Sequence, residues 1–212
     1  MPHKAGKIYV IDDDAASRES VTLAVRPLGL EVPAFDSVEA FLSTYDGQRP
    51  ACIVADMRML GTSGTELLQD LTQRGLTIPV IVLTAHADTP SIVMAMKNGA
   101  FTTLDKPCNN EELWNAVRAA LQDDIKRSEE DNRRQEARQR LAQLTSGERG
   151  VLQRVLAGEG NKAIAYRLDI GLRTVEARRK ALTRKLKFES IAELFTLVLL
   201  AEPELLPPDS KE

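Results

Sequence analysis

Asp12 and Asp13 close the first apolar run of this chain, Asp56 and Thr84 close two later ones, and Lys106 follows a fourth. Each aspartate taken alone reads equally well as a helix cap or a turn former. Together they are five polar side chains placed after apolar strands, and in an open sheet of parallel strands the carboxyl ends are where ligands bind. Crowded carboxylates repel one another and stay ionised at neutral pH only with a cation close by. Mg²⁺ suits such a set, because it accepts one or two carboxylates and fills its remaining positions with water and phosphate oxygens. With that ion and Lys106 neutralising the equatorial oxygens, and a hydroxyl such as that of Thr84 donating a further hydrogen bond, a carboxylate can attack a phosphoryl donor in line. Asp56 is the expected nucleophile: it ends the middle strand, and the loop after it, Met57 to Gly64, has two glycines that allow close approach to phosphate.

The elements that must position these groups are legible as an alternation. Lys7–Ile11, Glu31–Phe35, Ala51–Ala55, Pro79–Leu83 and Phe101–Leu104 read as strands. Between and after them Ala15–Leu28, Ser37–Tyr45, Gly64–Arg74, Pro90–Asn98 and Asn110–Leu121 have helical spacing, with Ser37 and Asn110 as plausible caps. Strands that are apolar throughout belong in a parallel sheet covered on both faces. The expected fold class is therefore α/β over residues 1–121, a βα unit repeated five times.

The 212 residues are enough for two ordinary domains. Cys52 and Cys108 stand far apart in no metal-ligand or redox spacing, and His3 and His86 are isolated, which argues against a zinc site or a Ser-His-Asp hydrolase. The apolar run Ile8–Ile11 is cut off by Asp12, Asp13 and Asp14, leaving no signal-peptide core, and no stretch is long enough to span a bilayer; a cytoplasmic protein without a membrane partner is expected. Charge is uneven. Acids exceed bases through residue 121, whereas residues 161–187 hold nine Lys and Arg against two acids, the footprint of a polyanion-binding end.

Residues 122–141 are predominantly charged, and Leu121, Ile125 and Leu141 are too sparse for a sustained coiled-coil seam. A charged helical linker is expected there, either solvated or making a weak dimer contact. Four short helices follow in a small all-α domain, 142–202, near Ser146–Leu156, Lys162–Leu168, Thr174–Leu186 and Ile191–Ala201. Thr145 and Glu148 have capping-box spacing at the first. The tail, 203–212, carries Pro207 and Pro208 and reads as disordered.

The segments VIDDD, IVADMRMLGTSG, VLTAHAD and LDKP, in this order and spacing, resemble the receiver domain of two-component response regulators over about residues 5–121. The resemblance implies a five-stranded flavodoxin-like (βα)5 fold and phosphorylation of Asp56 by a partner histidine kinase. It further implies Mg²⁺ bound by Asp13, Asp56 and the backbone carbonyl of Arg58 with Asp12 assisting, phosphate contacts from Thr84 and Lys106, and a cis Lys106–Pro107 bond. The chain departs from the family pattern at Thr103, where an aromatic residue is usual, and at Leu60, where proline is usual. Arg58 and His86 flank the path of a hydrolytic water in relatives, and their bulk is expected to slow dephosphorylation.

In NKAIAYRLDIGLRTVEARRKALTRKL a short helix ending near Leu168 is followed by a turn containing Gly171 and a longer basic helix from Thr174. Ile164, Ala165, Leu168, Ile170, Val175, Leu182 and Leu186 can form one small core, which leaves Arg178, Arg179, Lys180, Arg184 and Lys185 for solvent or phosphate. A basic helix alone is usually a solvated face. As the second helix of a tight pair it fits the major groove instead. The segment resembles the LuxR-type helix-turn-helix of the NarL/FixJ group of response regulators over about residues 142–202. Carried over by position, Glu176, Ala177 and Lys180 would face bases, while Lys162, Thr174, Arg178, Arg179 and Arg184 would favour phosphates. Arg178 stands where histidine is common. In Ile191–Ala201, the row Leu194, Val198 and Ala201 would either pair with a twin in a dimer or serve as ordinary core.

The expectation is a DNA-binding transcriptional regulator rather than an enzyme with a free substrate, taking part in Mg²⁺-dependent phosphotransfer and autodephosphorylation on Asp56. Phosphorylation would shift the fourth and fifth helical segments, exposing a homodimer face or freeing the DNA-reading helix for a double-stranded operator, with RNA polymerase as a further candidate partner. Two rivals stay open: a phosphate sink whose basic end binds without sequence preference, and a transcription factor whose receiver no longer uses phosphate.

Overall fold

Successive side chains along a strand point to opposite faces of a sheet, so a strand covered on both sides must be apolar at every position. The computed structural model, which describes residues 6–57, 64–85 and 89–207, has this arrangement in its first part. The strands are β1 (Lys7–Ile11), β2 (Ala34–Phe35), β3 (Ala51–Asp56), β4 (Val80–Thr84) and β5 (Thr102–Asp105), and they form one parallel sheet in the order β2-β1-β3-β4-β5. On one face Tyr9, Ile11, Ile53 and Val82 pack with Phe41 of α2 (Val38–Thr44), Leu67 and Leu71 of α3 (Gly64–Gln73) and Ala95 of α4 (Thr89–Lys97). On the other, Ile8, Cys52, Val54, Ile81 and Leu83 meet Val25 of α1 (Ala15–Val25) and Leu113, Val117 and Ala120 of α5 (Asn110–Ala142). Neighbouring residues of β1, β3 and β4 thus serve opposite cores.

The second strand is shorter than the expected Glu31–Phe35. Carbonyls of Glu31, Pro33 and Phe35 accept from Ile8, Val10 and Asp12 at 2.9, 3.0 and 3.1 Å, so pairing with β1 extends along the whole segment. Pro33 has no N–H to return, and the regular ladder contracts to Ala34–Phe35. The first helix also stops early: Pro27 tightens Arg26–Leu28 into a 3₁₀ turn that ends on Gly29 at φ 71°. Ser37 caps α2 as expected, accepting from Ala40 N.

Asn110–Ala142 is one helix, so the helix expected to Leu121 and the charged helical linker after it are continuous. It contains no Gly or Pro, and acids precede arginines by four residues in the pairs Asp123–Arg127 and Glu136–Arg140, the favourable orientation on a helix. Asp124 fastens it. This carboxylate is fully buried, accepts from Arg49 Nε at 3.0 and 3.1 Å and from Ala51 N at 2.8 Å, and so ties α5 to the first residue of β3. Arg49 Nη1 reaches on to Thr77 Oγ1 at 3.2 Å.

The chain divides into two units, Met1–Ser128 and Glu129–Glu212. The second holds α6 (Ser146–Leu156), α7 (Asn161–Arg167), α8 (Leu172–Leu186) and α9 (Ile191–Ala201) around Val151, Leu152, Ile164, Val175, Leu182 and Val198. The expected core set assembles, with Ala165, Leu168 and Ile170 packed at its margin. The capping box is present: Thr145 N donates to Glu148 Oε2 at 2.8 Å and Glu148 N to Thr145 Oγ1 at 3.3 Å. Lys185 Nζ donates to the same Glu148 oxygen at 2.6 Å and to Gln143 O at 3.0 Å.

Leu194, Val198 and Ala201 are buried in this core, so of the two alternatives for the row on α9 the structure has ordinary core. The tail does not begin as disordered chain: Pro203–Leu205 form a 3₁₀ turn, and Leu205 and Leu206 pack against the core. Pro208 and the residues after it lie outside the described residues, as does His3. Among the described residues no helix is long and apolar enough to cross a membrane.

Asp124→Ala leaves Arg49 and the Ala51 N–H without their buried acceptor and is expected to cost about 3 kcal/mol, read as a lowered urea midpoint by fluorescence of Trp114, the sole tryptophan. In the second unit, the Lys185 hydrogen bond and then the Thr145 N–H hold the Glu148 carboxyl below the ordinary range. A depressed carboxylate contributes stability that is present above its unfolded pKa and lost as pH falls through the folded one. Lys185→Ala should therefore cost roughly 1.5 kcal/mol at neutral pH and flatten the acid side of the stability profile, as thermal melts between pH 3 and pH 7 would register.

Candidate functional site

Strand register brings the predicted acidic residues together. Ile11 pairs with Ala55 and Asp56 with Leu83, so Asp12, which follows β1, lies beside Asp56 and Thr84, which end β3 and β4. Met57 N donates to Leu83 O at 2.8 Å, carrying the ladder one residue beyond Asp56. Lys106 N donates to Thr84 O at 2.7 Å, which fixes the lysine backbone against the end of β4, and the Lys106–Pro107 bond is cis. The sheet order reverses between β1 and β3, so the pocket lies at the topological switch point of the fold.

Lys106 Nζ stands 2.6 Å from Asp56 Oδ1 and 3.0 Å from Asp12 Oδ2. Burial pushes the lysine pKa down, but the hydrogen bonds to Asp56 and Asp12 outweigh it and hold the ammonium above its ordinary range. Asp12 is almost wholly buried and fully engaged: Oδ1 accepts from Asp14 N at 3.0 Å, and Oδ2 from Ser17 Oγ at 2.6 Å as well as from Lys106. Arg18 Nη1 donates to the Asp12 carbonyl at 2.6 Å. Thr84 is buried, Asp13 is half-buried beside Asp12, and the Asp56 side chain keeps 12% exposure.

Among the described residues no three His, Cys, Asp or Glu side chains are grouped to hold a metal together, and the Lys106 ammonium contacts both Asp12 and Asp56. The donor chemistry still suits Mg²⁺, which needs only one or two carboxylates with water. Arg58, Leu60 and His86 lie outside the described residues. Thr103 sits half-buried in β5 opposite Val82. Sequence reasoning missed Ser17 and Arg18. The signal for Ser17 was present in its spacing, three residues after the α1 cap Asp14.

The second unit presents its basic helix in two faces. Val175, Leu182 and Leu186 of α8 are buried, whereas Glu176, Ala177, Lys180 and Arg184 are exposed together with Thr174 and with Arg173, which the sequence reading omitted. Lys162 is exposed on α7. Helix α8 begins at Leu172, two residues before the expected Thr174, because Gly171 serves as its extended N-cap and accepts from Thr174 N and Val175 N at 2.9 and 3.2 Å. The left-handed residue of the turn is Asp169, φ 50°, a residue type that tolerates that region. Three cations expected to be left for solvent or phosphate have intramolecular partners. Arg178 donates to Gly147 O at 3.3 Å and Arg179 to Asn161 Oδ1 at 3.0 Å, while Lys185 is committed to Glu148.

Residues 8–118 match the response regulator receiver domain family, and 142–198 match the luxR family of bacterial regulatory proteins. Transcriptional regulatory protein FixJ of Azorhizobium caulinodans is 42% identical over 92% of this chain and 92% of its own length. Transcriptional regulatory protein TdiR of Thauera aromatica is 36% identical over 92% of this chain and 86% of its own. Among solved structures, response regulator StyR matches with a TM-score of 0.82 at 37% identity, covering 92% of this chain and 98% of that one. Full-length FixJ from B. japonicum matches with a TM-score of 0.56 at 36% identity, covering 92% and 96%. With a receiver fold carrying acids and a lysine at its strand ends, and a LuxR-type helix pair behind it, this chain belongs to the NarL/FixJ group of two-component response regulators, transcriptional regulators controlled by phosphorylation.

Proposed function

We propose that Asp56 is the phosphoacceptor of this regulator and that Thr84 and Lys106 receive the phosphoryl group. The observation that carries this reading is the 2.6 Å contact between Lys106 Nζ and Asp56 Oδ1 at the edge of the sheet. One Asp56 oxygen attacks the phosphorus of a phosphohistidine on the sensor kinase, the P–N bond breaks, and the imidazole leaves. Lys106 turns one N–H from the carboxylate to a phosphoryl oxygen, and the Thr84 hydroxyl donates to another. Asp13, Asp56 and the carbonyl of Arg58 would hold Mg²⁺, with Asp12 assisting through its hydrogen bonds, since both Asp12 oxygens already have protein donors. The metal supplies charge neutralisation of the transferring group.

The domain limits follow as 1–121 for the receiver, 122–141 for the charged segment of α5, 142–202 for the DNA-binding domain and 203–212 for the tail. In the DNA-binding domain Glu176, Ala177 and Lys180 face base edges. Thr174, Lys162 and Arg184 contact phosphates, and Arg178 and Arg179 do so on leaving Gly147 and Asn161. Phosphorylation shifts α4 and α5 toward a conformation that dimerises, placing two α8 helices on a two-fold operator. The apolar side of α4 supports this: Val93, Met94 and Met96 are exposed, whereas the row on α9 is closed. A contact of the bound dimer with RNA polymerase belongs to the same reading.

Acetyl phosphate or beryllofluoride with Mg²⁺ should convert monomer to dimer and tighten binding to a selected operator, both by light scattering and by titration. Asp56→Asn should abolish the response to acetyl phosphate; an undiminished response in that variant would remove Asp56 from the account. Lys180→Ala should cost about 1–3 kcal/mol and relax preference at one base position. Arg184→Ala should weaken all sequences alike and lower the salt slope by about one, and indistinguishable effects would undo the division between base and phosphate contacts.

A further inference from the structure

Ser17 is the pocket residue to which no role has been given. It is the third residue of α1, whose cap Asp14 accepts from Ser17 N at 2.7 Å. In a capping box the side chain at this position reaches back to the N–H of the cap residue. Here Asp12 Oδ1 takes that N–H, from Asp14, at 3.0 Å, and the Ser17 hydroxyl is released from capping. It donates to Asp12 Oδ2 at 2.6 Å and accepts from Lys106 Nζ at 2.8 Å.

The polarity of this relay is fixed by chemistry. An ionised carboxylate can only accept and an ammonium can only donate, so the single hydroxyl hydrogen must point at Asp12 and its lone pair at Lys106. Lys106 has three N–H groups, and three acceptors surround it: Ser17, Asp12 and Asp56 at 2.8, 3.0 and 2.6 Å. Ser17 and Asp12 belong to the first strand and helix of the domain, so two of these bonds anchor the ammonium there and leave the third aimed at Asp56.

We propose that Ser17 is a positioning residue for phosphoryl transfer: its hydroxyl holds the Lys106 ammonium on a fixed seat from which one N–H points at the acceptor oxygen of Asp56. The role rests on Asp56 being the phosphoacceptor. When the phosphoryl group arrives, only that N–H has to change partner, because Ser17 and Asp12 keep the other two. Ser17 is also the neutral member of the trio, so it fixes direction without drawing the lysine charge away from the incoming phosphate. Without the hydroxyl, the transfer step itself must restrain a long side chain with several rotatable bonds.

The test compares Ser17→Thr, which keeps a hydroxyl, with Ser17→Val, which has nearly the same shape without one, in the full chain. Two quantities are read: hydrogen exchange of the Lys106 ammonium with water, by ¹⁵N NMR of the unphosphorylated protein without metal, and the rate of Asp56 phosphorylation by acetyl phosphate with Mg²⁺. Ser17→Val should speed ammonium exchange and slow phosphorylation, each by about tenfold, while Ser17→Thr stays within about twofold of the native chain in both. Native behaviour of Ser17→Val in either quantity overturns the proposal, as does a Ser17→Thr variant no better than Ser17→Val. Slow ammonium exchange in a native chain that takes up no phosphoryl group also overturns it, and assigns the failure to the Asp56 reading rather than to the Ser17 bond.

Discussion

A buried carboxylate is tolerable only with donors around it, and the strand-end pocket is organised by that demand. Two unit charges 4 Å apart interact by about 4 kcal/mol at an effective dielectric of 20, so Asp12 and Asp56 could not share one corner of the sheet without a cation. Lys106 is that cation, and every nearby element contributes to holding it in place. β1 and β3 deliver the acids, β4 anchors the lysine backbone through Thr84 O, and α1 supplies the hydroxyl of Ser17.

The aspartates divide the work by their burial and partners. Asp12, saturated by Asp14 N, Ser17 and Lys106, is an anchor. Asp56 retains an exposed edge beside Lys106, which suits the phosphoacceptor role proposed for it. Asp124 is as buried as Asp12 but lies at the amino ends of the strands, where it binds Arg49 and the start of β3 and fastens α5 midway along its length. Buried acids therefore secure both ends of the strands, one end arranged for chemistry and the other for support.

Much of this was legible in the residues. Continuous apolar runs specified a doubly covered parallel sheet, and side chains placed after those runs had to meet at one edge, because parallel strands all end on the same side. The capping box of Thr145 and Glu148 and the core of the helix pair were equally readable, since both depend on short spacings. What escaped depended on contacts between distant segments. Ser17 acquires its meaning from Lys106, 89 residues away, and Asp124 from Arg49, 75 residues away. Lys185 reads as a free cation until Glu148 folds against it. The continuity of α5 into the charged linker stayed open for a different reason, because a highly charged sequence carries no apolar period to mark how far a helix runs. The row on α9 could not be assigned from periodicity, which is the same for a helix facing its own core as for one facing a twin.

Helix α8 keeps its packing residues and its outward residues on separate sides, with Val175, Leu182 and Leu186 inward and Glu176, Ala177, Lys180 and Arg184 outward. A change on the outward side alters no volume in the interior, so under the proposed base contacts operator preference can drift between descendants of this chain while the scaffold stays intact. The inward side has no such latitude. Recognition and folding are thus open to selection one at a time, a separation that lets duplicated copies of one regulator acquire different promoters without first having to be rebuilt.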